Sequence, residues 1–573
     1  MNKKKFPLAI LLVAAIGVAV PFAAAQEQVN ATGSSGVFLS IGQATFNDVA
    51  GGAGVAHIWT AKGSNAKGCV GNCVSIHDPR SGSITDLSGN IWVVWDNSTP
   101  HKVWAYTQVD TIVGNRAFFG GNQPLINSCA LAPSTACPGQ QLIPKSVIGN
   151  QVDEMNMPAD VYNAINGVTF DSLFSELRPE DAAQMQTRVV STLTSTLSGL
   201  GYGTGPKTLV GTTIQSAWDS ATAVPVAFAI KGNDPFTKKP VLGGAGWTSQ
   251  NLGAYPVVFV DNRTNTAGLG LQSGGVYQYL DVSDAKVKLP GVSYKLQKLL
   301  AGDCTSSLIG PNYSLTPFAV NLNLREPLSG TYTTTEYTEV RNKGNTTNGQ
   351  EKGVGVPTGG TSANPLNQAC PSGGGSRFRG IGTGEVVAGN GSGSGGVLNV
   401  ADSIAYFFWS FSNGSKLTTN PGGNPNYGYF TLDGVDPLAG VMAAPPPNQE
   451  IPYCTAPCPV PEGTSFTHLR DGTYRSWTIV RVVNAGPSTS PALQTLITDA
   501  QNDVNLIEPD FVPWDINSHG DPGMRAYRSH FTADGILGVN DDGTGNNEHG
   551  GDVGGMIFAR PEINDAAHLN KKQ

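Results

Sequence analysis

The loop REPLSGT combines side chains that could bind a small anion. Arg325 stands four residues before the turn Ser329, Gly330 and Thr331. A guanidinium is a planar fork that can hold two oxygens at once, and a glycine lets backbone N–H groups approach a ligand closely. The types and spacing of these residues therefore predict a loop that binds an oxyanion.

Three more loops offer matching groups. SIGQATF contains Thr45 and Phe46, YTQVDTIVGNRAFF contains Thr111, and VTFDSLFSELRPEDA contains Glu176. Where a loop enters a helix, unpaired N–H groups and the helix dipole favour an anion. A buried carboxylate beside that anion can accept a hydrogen from a protonated ligand and reject a fully deprotonated ion such as sulfate. We assign this role to Glu176, with Asp96 at the end of IWVVWD as the alternative.

Each of these residues also has an ordinary structural explanation. A threonine before a helix commonly caps it, which would account for Thr45 and Thr111. Ser329 could cap a helix in the same way, with Arg325 on the surface, and Glu176 could be a solvated acid. The motifs around these residues must decide between the two interpretations.

Strands and helices that would position the loops can be placed from the apolar pattern. Runs rich in β-branched and aromatic residues predict strands at 36–41, 91–95, 103–109, 224–230, 255–260, 317–324 and 477–483. Helices are predicted at 178–193, 294–302, 395–411 and 491–504, with further helices after Gly114 and Thr331. Strands that alternate with helices indicate an α/β fold.

The N-terminus is typical of an exported protein. Residues 1–25 contain three lysines, an apolar stretch and the motif Ala23-x-Ala25, which predicts a signal peptide cleaved after Ala25. No cysteine follows that position, so a lipoprotein signal is not expected. The protein is therefore expected in the periplasm or outside the cell. A chain of 573 residues is too long for one ordinary core and indicates two or more lobes.

The charge of the chain excludes one class of partner. The formal net charge is −8 and only 14% of the residues are charged, so the chain lacks the basic surface that nucleic-acid binding needs. We expect no nucleic-acid partner.

The cysteine count favours disulfides. Eight cysteines in an exported chain form three local pairs in the simplest scheme, which leaves Cys304 to pair with Cys370. The local pairs are Cys69 with Cys73, Cys129 with Cys137, and Cys454 with Cys458. A metal site is the alternative, but these spacings lack nearby histidines.

Several fragments, taken in chain order, resemble the periplasmic phosphate-binding proteins of ABC phosphate importers. They are GQATF, VPVAFAIKGN, LQKLLAGDC, REPLSGT and NVADSIAYFFWSF. The resemblance implies an α/β fold, a two-lobed clamp of the type 2 periplasmic-binding kind with mixed sheets in each lobe and two crossover strands. One lobe would comprise residues 27–220 plus 471–573, and the other residues 221–470.

The same resemblance implies a ligand and its contacts. The ligand would be a small oxyanion, with phosphate favoured, and the partner an ABC permease in the membrane; the protein would be a monomer and need no cofactor. The residues that would contact the anion are Thr45, Phe46, Thr111, Arg325, Ser329, Gly330 and Thr331, and Glu176 aligns with the family's proton-accepting aspartate.

Two departures from the family favour an alternative. Pro327 stands where the family has the aspartate that pairs with its arginine, so the ion partner of Arg325 is either missing or replaced by Glu326. Asp110 would bring negative charge towards the anion if it pointed inward. The alternative function is a non-transport secreted or cell-surface protein that keeps the clamp fold. A guanidinium buried against a neighbouring acid would argue against the anion site.

Enzymatic and calcium-binding functions are less favoured. No catalytic motif of the common hydrolases or nucleotide-binding enzymes is present, and a secreted phosphatase that used Thr45 or Ser329 as nucleophile would lack an evident general base. We therefore expect a protein that is not an enzyme. The acidic segment 541–552 could suggest calcium, but it lacks the regular ligand spacing and fits a flexible polar loop better.

Overall fold

A computed structural model describes the chain in separate ranges. They are 26–63, 73–77, 86–131, 140–177, 182, 232–233, 240–241, 247–270, 272–273, 276–277, 281–282, 295–309, 316–325, 329–340, 350, 367–380, 382–389, 395–418, 426–441, 451–452, 460–486, 488–506, 508–528 and 557–560.

The described residues form 24 strands and nine α-helices, together with short 3-10 and π-helical turns. The strands are β1 Gln26–Ser34, β2 His57–Gly63, β3 Cys73–His77, β4 Asp86–Ser88, β5 Asn90–Trp95, β6 Lys102–Val109, β7 Gln123–Ile126, β8 Ser172–Ser175, β9 Gly232–Asn233, β10 Pro240–Val241, β11 Trp247–Asn262, β12 Gln272–Ser273, β13 Val276–Tyr277, β14 Asp281–Val282, β15 Asn321–Arg325, β16 Asn367–Ala369, β17 Ser376–Gly380, β18 Ser403–Phe408, β19 Tyr427–Tyr429, β20 Thr431–Leu432, β21 Trp477–Ala485, β22 Val512–Pro513, β23 Ala526–Arg528 and β24 Ile557–Ala559. The helices are α1 Phe38–Ala44, α2 Thr111–Gly120, α3 Ala159–Ile165, α4 Lys295–Leu300, α5 Gly330–Thr335, α6 Thr383–Ala388, α7 Phe411–Gly414, α8 Thr467–Arg470 and α9 Pro491–Asp503.

One mixed sheet of 16 strands runs through the molecule and defines two lobes. Its main path is β16-β17-β15-β18-β11-β21-β8-β1-β6-β5-β2-β3-β4. We call the part from β8 to β4 the first lobe and the part from β16 to β18 the second lobe. The strands β11 and β21 lie between them and pair with each other antiparallel. The expected α/β clamp with mixed sheets and two crossover strands is therefore confirmed.

Parallel pairing brings the functional loops to the same edges of the sheet. In the first lobe β1 pairs parallel with both β6 and β8. In the second lobe β15 pairs parallel with both β17 and β18. Because the carboxyl ends of neighbouring parallel strands lie at one edge, the loops that follow them are gathered in one place.

The central strands are buried because helices and loops cover both faces of the sheet. β5 and β6 read as nearly continuous apolar runs, as is usual for strands without a solvated face. Trp92 and Tyr106 pack in the first-lobe core beside α1, and the indole N–H of Trp92 donates to the Phe38 carbonyl oxygen at 3.0 Å. A second cluster around Trp409 and Trp477 packs against the other face of β11 and β18.

Several predicted elements are confirmed, and two are wrong. The strands at 91–95, 103–109, 255–260 and 477–483 and the helices at 294–302 and 491–504 are present, with shifted ends. The strand predicted at 317–324 begins later, at Asn321. The strand at 224–230 and the helix at 178–193 fall outside the described residues, apart from Ala182.

The segment predicted as a strand at 36–41 is helical instead. The Ser34 hydroxyl accepts the Gly36 N–H at 3.0 Å and starts a 3-10 turn that continues into α1. Buried Val37, Ile41 and Ala44 then recur at the three- or four-residue spacing of a helix face.

The helix predicted at 395–411 is also wrong, because residues 403–408 form β18. That strand lies between β11 and β15 and is buried along its whole length. An apolar run buried on both faces has no alternation, so periodicity cannot distinguish such a strand from a buried helix.

The disulfide between Cys304 and Cys370 is confirmed. Cys73 and Cys129 are also disulfide-bonded, but each of the three local pairs expected from the sequence includes at least one cysteine outside the described residues. Within the described part of the chain, no helix is both long and apolar enough to cross a membrane.

Candidate functional site

Three neighbouring strands of the first lobe deliver polar residues to one edge. β1 ends at Ser34, β6 is followed by Asp110 and Thr111, and β8 is followed by Glu176. All four residues are buried. Thr111 begins α2, whose first N–H groups lie at the same edge because the helix continues directly from β6.

The second lobe delivers a matching set. β15 ends at Arg325, and Ser329 caps α5 by accepting the Thr331 N–H at 3.1 Å. β17, the parallel neighbour of β15, leads to Thr383 at the start of α6. A guanidinium and three hydroxyl side chains therefore meet at this edge.

The two edges are in contact, and Gly330 is the point of closest approach. A Cβ atom at Gly330 would lie 2.4 Å from Thr111 Oγ1 and 2.7 Å from Glu176 Oε2. No side chain larger than hydrogen fits at these distances unless the lobes move apart. The glycine therefore lets second-lobe backbone reach first-lobe side chains.

Glu176 is the buried carboxyl at the centre of this contact. Its Oε1 accepts the Ser34 hydroxyl hydrogen and its Oε2 accepts that of Thr111. Burial raises the pKa of Glu176 to about 7, against the lowering effects of the Thr111 hydrogen bond and the Arg325 charge, while Asp110 raises it further. At neutral pH the group can therefore either donate or accept a hydrogen.

Arg325 is buried and already has an acidic partner. Its Nη2 donates to Asp110 Oδ1 at 2.6 Å, and its Nη1 donates to the hydroxyls of Thr331 at 3.2 Å and Thr383 at 3.3 Å. The ion partner that the sequence left missing, or assigned to Glu326, is therefore Asp110 of the other lobe. Glu326 lies outside the described residues.

This ion pair is the arrangement that argues against an open anion site. Arg325 contributes one positive charge, while Asp110 and an ionised Glu176 contribute two negative charges. The cluster therefore has a net charge of about −1, or about zero when Glu176 is protonated. An anion can use the guanidinium only by sharing it with Asp110 or by displacing that carboxylate.

Hydrogen bonds behind Arg325 fix the position of its backbone. The Arg325 N–H donates to the Tyr406 hydroxyl at 3.4 Å, and the Arg325 carbonyl oxygen accepts from Arg379 Nη1 at 3.2 Å. Arg379 Nη2 in turn donates to the Gln350 carbonyl oxygen at 2.6 Å. This network is buried, so it orients the guanidinium towards the first lobe.

Most of the residues predicted for the site come together. Thr111 and Glu176 of the first lobe meet Gly330, which stands between Ser329 and Thr331, and Arg325 donates to Thr331. Their role as ligand contacts stays a prediction.

Thr45 and Phe46 are placed elsewhere. They follow α1 at its C-terminal end, whereas Ser34 precedes its start. The Thr45 hydroxyl donates to the Ile41 carbonyl oxygen at 2.6 Å, and Phe46 is buried in the core. The alternative acid, Asp96, closes a turn by accepting the N–H groups of Ser98 and Lys102.

Sequence reasoning missed Ser34 and Thr383 and left the direction of Asp110 open. Ser34 had a usable signal, because it begins a Ser-Ser-Gly sequence at the end of β1. Thr383 had no such signal, since only the parallel pairing of β17 with β15 brings it beside Arg325.

Comparisons with known proteins add little to this geometry. No protein-family model and no curated protein matches the chain. Among solved structures, a high affinity periplasmic phosphate-binding protein bound with phosphate is 11% identical, with 84% of this chain and 90% of that chain covered and a TM-score of 0.27. A phosphate-binding protein from Stenotrophomonas maltophilia is 11% identical, with 70% and 76% covered and a TM-score of 0.26. An ABC-type phosphate transport receptor from Vibrio cholerae is 8% identical, with 44% and 66% covered and a TM-score of 0.21. Similarity at this level does not transfer a ligand or a function.

Proposed function

We propose that this chain binds a small protonated oxyanion, phosphate in the first instance, between its two lobes. The observation that carries the proposal is the position of the buried Glu176 carboxyl. It lies between the hydroxyls of Ser34 and Thr111 and against Gly330 of the other lobe. A chain that only needed a stable interface between lobes would have little reason to bury an acid there.

The groups around Glu176 match the surface of a protonated oxyanion. Arg325 and the hydroxyls of both lobes are donors for its oxygens, and the N-terminus of α2 adds backbone N–H groups. The Glu176 carboxylate is the acceptor for a P–OH hydrogen. Sulfate carries no such hydrogen at neutral pH, so its oxygens would face the carboxylate directly.

Binding requires the clamp to open and close. With the lobes apart, Arg325 separates from Asp110 and the first-lobe hydroxyls become accessible. The anion then binds to one lobe, and closure brings the second set of donors around it. The free energy of closure comes from contacts that exist only when both lobes touch the ligand.

The proposal includes a place and a partner for the protein. The N-terminal pattern of residues 1–25 supports export to the periplasm or beyond, where a monomer would present the closed form to an ABC permease. Uptake of labelled phosphate by cells that carry or lack the gene tests this transport role. Equal uptake by the two strains would contradict it.

Calorimetry of the purified protein with phosphate, arsenate and sulfate tests the binding role. We expect heat of binding with phosphate and arsenate and none with sulfate. Arg325→Lys should weaken phosphate binding by about 100-fold, because an ammonium cannot hold two oxygens in the geometry of a guanidinium.

A matched control is Arg470→Lys. Arg470 is also buried and paired with an aspartate, Asp521, but its bonds lie within residues 465–523. Its phosphate affinity should equal that of the wild type. Absence of binding to all three anions by the folded wild type would show the binding proposal to be wrong.

One observation favours a second candidate function. The Asp110 carboxylate pairs with the guanidinium of Arg325, so this ion pair itself can hold the two lobes together. A non-transport secreted or cell-surface protein that retained the clamp would have this property. A normally folded protein that gives no heat of binding with any of the three anions would support that function.

A further inference from the structure

Asp110 is the charged group of the cleft that the proposed binding role leaves unused. Its Oδ1 accepts the Arg325 hydrogen bond, but its Oδ2 is buried and has no hydrogen-bond partner among the residues that the structure describes. Although Asp110 holds the N-cap position of α2, its side chain makes no capping bond. A buried carboxylate oxygen without a donor is unfavourable, so a partner that brings a hydrogen would stabilise it.

We propose that Asp110 is a second proton-accepting group, which makes the cleft specific for the singly charged, doubly protonated form of the oxyanion. The inference rests on the proposed function. Dihydrogen phosphate has two P–OH groups, one for Glu176 and one for Asp110 Oδ2, and two further oxygens for Arg325 and the hydroxyls. The dianion has one P–OH group and would leave one carboxylate facing a bare oxygen.

The charges at the cleft favour the same form. The charges of Arg325, Asp110 and an ionised Glu176 sum to −1. A bound dianion would make the net charge −3 in a site shielded from water. A bound monoanion makes the net charge only −2, and it donates two hydrogen bonds to the carboxylates. Like charges at contact distance are unfavourable enough for this difference to set specificity.

Other titratable and charged groups surround the cleft. Tyr106 and Tyr255 stand near Glu176, and Tyr406 lies near Arg325, Arg379 and Glu336. Burial is the largest cause that raises the pKa of each of these tyrosines, so all three stay neutral through the physiological range. Glu336 accepts from Gln350 at 2.9 Å, and Gln350 Oε1 accepts the Tyr406 hydroxyl hydrogen. None of these groups supplies a hydrogen to Asp110 in the described part of the chain.

Proton uptake gives the inference a measurable signature. Above the second ionisation of phosphate the dianion predominates in solution, so a cleft that holds the doubly protonated form must take up one proton on binding. The affinity then falls about tenfold for each pH unit. A cleft with Glu176 as its single proton acceptor holds the dianion directly, and its affinity would not change in this range.

Calorimetric titration of the full chain with inorganic phosphate from about pH 7.5 to about pH 9 measures that slope. We expect the wild type to lose about tenfold in affinity per pH unit. Asp110→Asn keeps the size of the side chain and offers N–H hydrogens in place of a carboxylate oxygen. Its affinity should be nearly constant over the range and, at the highest pH, at least about tenfold above that of the wild type. Asp471→Asn is the control, because Asp471 is exposed and bonds to Thr473 within its own turn; it should keep the wild-type slope.

The possible failures can be told apart. A wild-type affinity that does not change with pH, or the same slope in Asp110→Asn as in the wild type, would overturn the inference while phosphate binding stands. No binding of phosphate by the folded wild type at any pH would overturn the proposed function and this inference with it. If Asp110→Asn does not fold, the wild-type slope decides alone.

Discussion

Two buried arginine–aspartate pairs in this molecule differ in how completely they are satisfied. Arg470 contacts both oxygens of Asp521, and its remaining N–H groups donate to the backbone carbonyl and hydroxyl of Ser465 at 2.6 and 2.9 Å. Asp521 also accepts the Gly523 N–H at 2.9 Å. Arg325 reaches only one oxygen of Asp110, across the boundary between lobes, and the described residues supply no donor for the other oxygen.

The difference separates a structural ion pair from one that can be opened. A bidentate pair in which both carboxylate oxygens and the guanidinium nitrogens are hydrogen-bonded is costly to break. A monodentate pair between the lobes costs less free energy to open, and both of its residues can then form new hydrogen bonds. The first pair fixes a C-terminal segment, and the second suits the opening of the cleft that we propose.

The largest effect should come from breaking the structural pair. Asp521→Asn leaves the buried Arg470 charge without its carboxylate, so the free energy of unfolding should fall by about 3–5 kcal/mol. Asp110→Asn should cost less than about 2 kcal/mol, because Arg325 keeps its bonds to Thr331 and Thr383. Urea denaturation of both variants measures the difference. An equal loss in the two variants would show that the cleft pair is structural as well.

The pH dependence of stability should have opposite signs at the two places. Burial raises the pKa of Glu176 from 4.5 to about 7, so the folded state holds its proton more tightly than the unfolded state. The wild type should therefore lose about 3 kcal/mol relative to Glu176→Gln as the pH rises through this window.

For Asp521 the sign is reversed. Burial acts to raise its pKa, but the Arg470 hydrogen bond and charge outweigh burial and lower it below 3.8. Its stabilisation is present above that value and lost as the pH falls through the lowered pKa. Unfolding at a series of pH values checks both signs against the variants Glu176→Gln and Asp521→Asn. A wild type and Glu176→Gln with parallel stability curves would contradict the assignment of a protonatable acid to the cleft.

Two glycine substitutions test the contact between lobes. Gly330→Ala would place a methyl group against Thr111 and Glu176, so closure should become less favourable by about 1–3 kcal/mol. Small-angle scattering should show a more open molecule with weaker phosphate binding. Gly384→Ala is the control, since a Cβ at Gly384 in α6 meets no atom within 4 Å. An unchanged radius of gyration and affinity in Gly330→Ala would contradict the close contact.

The smallest effect concerns two threonines. Thr111→Val removes a hydroxyl that donates to Glu176, and phosphate affinity should fall about tenfold. Thr45→Val removes a hydroxyl that is bonded to its own helix, so affinity should not change. Calorimetry of the two variants makes the comparison. A loss in Thr45→Val equal to that in Thr111→Val would place the ligand near α1 instead.

The sequence could predict those parts of the fold and site that depend on local pattern. β5 and β21 are rich in β-branched and aromatic residues, which favours strands, and the order of Arg325, Ser329, Gly330 and Thr331 predicts a strand, a turn and a helix start. The parts that failed depend on distant residues. The strand predicted at 36–41 is one of them, and the helix found there places Thr45 at its C-terminal end.

The partner of Arg325 could not be predicted from sequence. Asp110 and Arg325 are 215 residues apart and meet only because β6 and β15 end at facing edges of one sheet. Side-chain direction at the end of a strand depends on register, and register is set by pairing partners that one sequence does not specify. The net charge of the cleft can therefore be determined only from the three-dimensional structure.

The 16-residue strand β11 has a consequence for how this protein can be divided. Residues 247–256 of this strand pair with β21, and residues 257–261 pair with β18. A single stretch of backbone thus supplies hydrogen bonds to both halves, and the change of partner falls between Pro256 and Val257. A fragment cut there would expose an unpaired strand edge, so neither half should be obtained as an independent, well-behaved polypeptide.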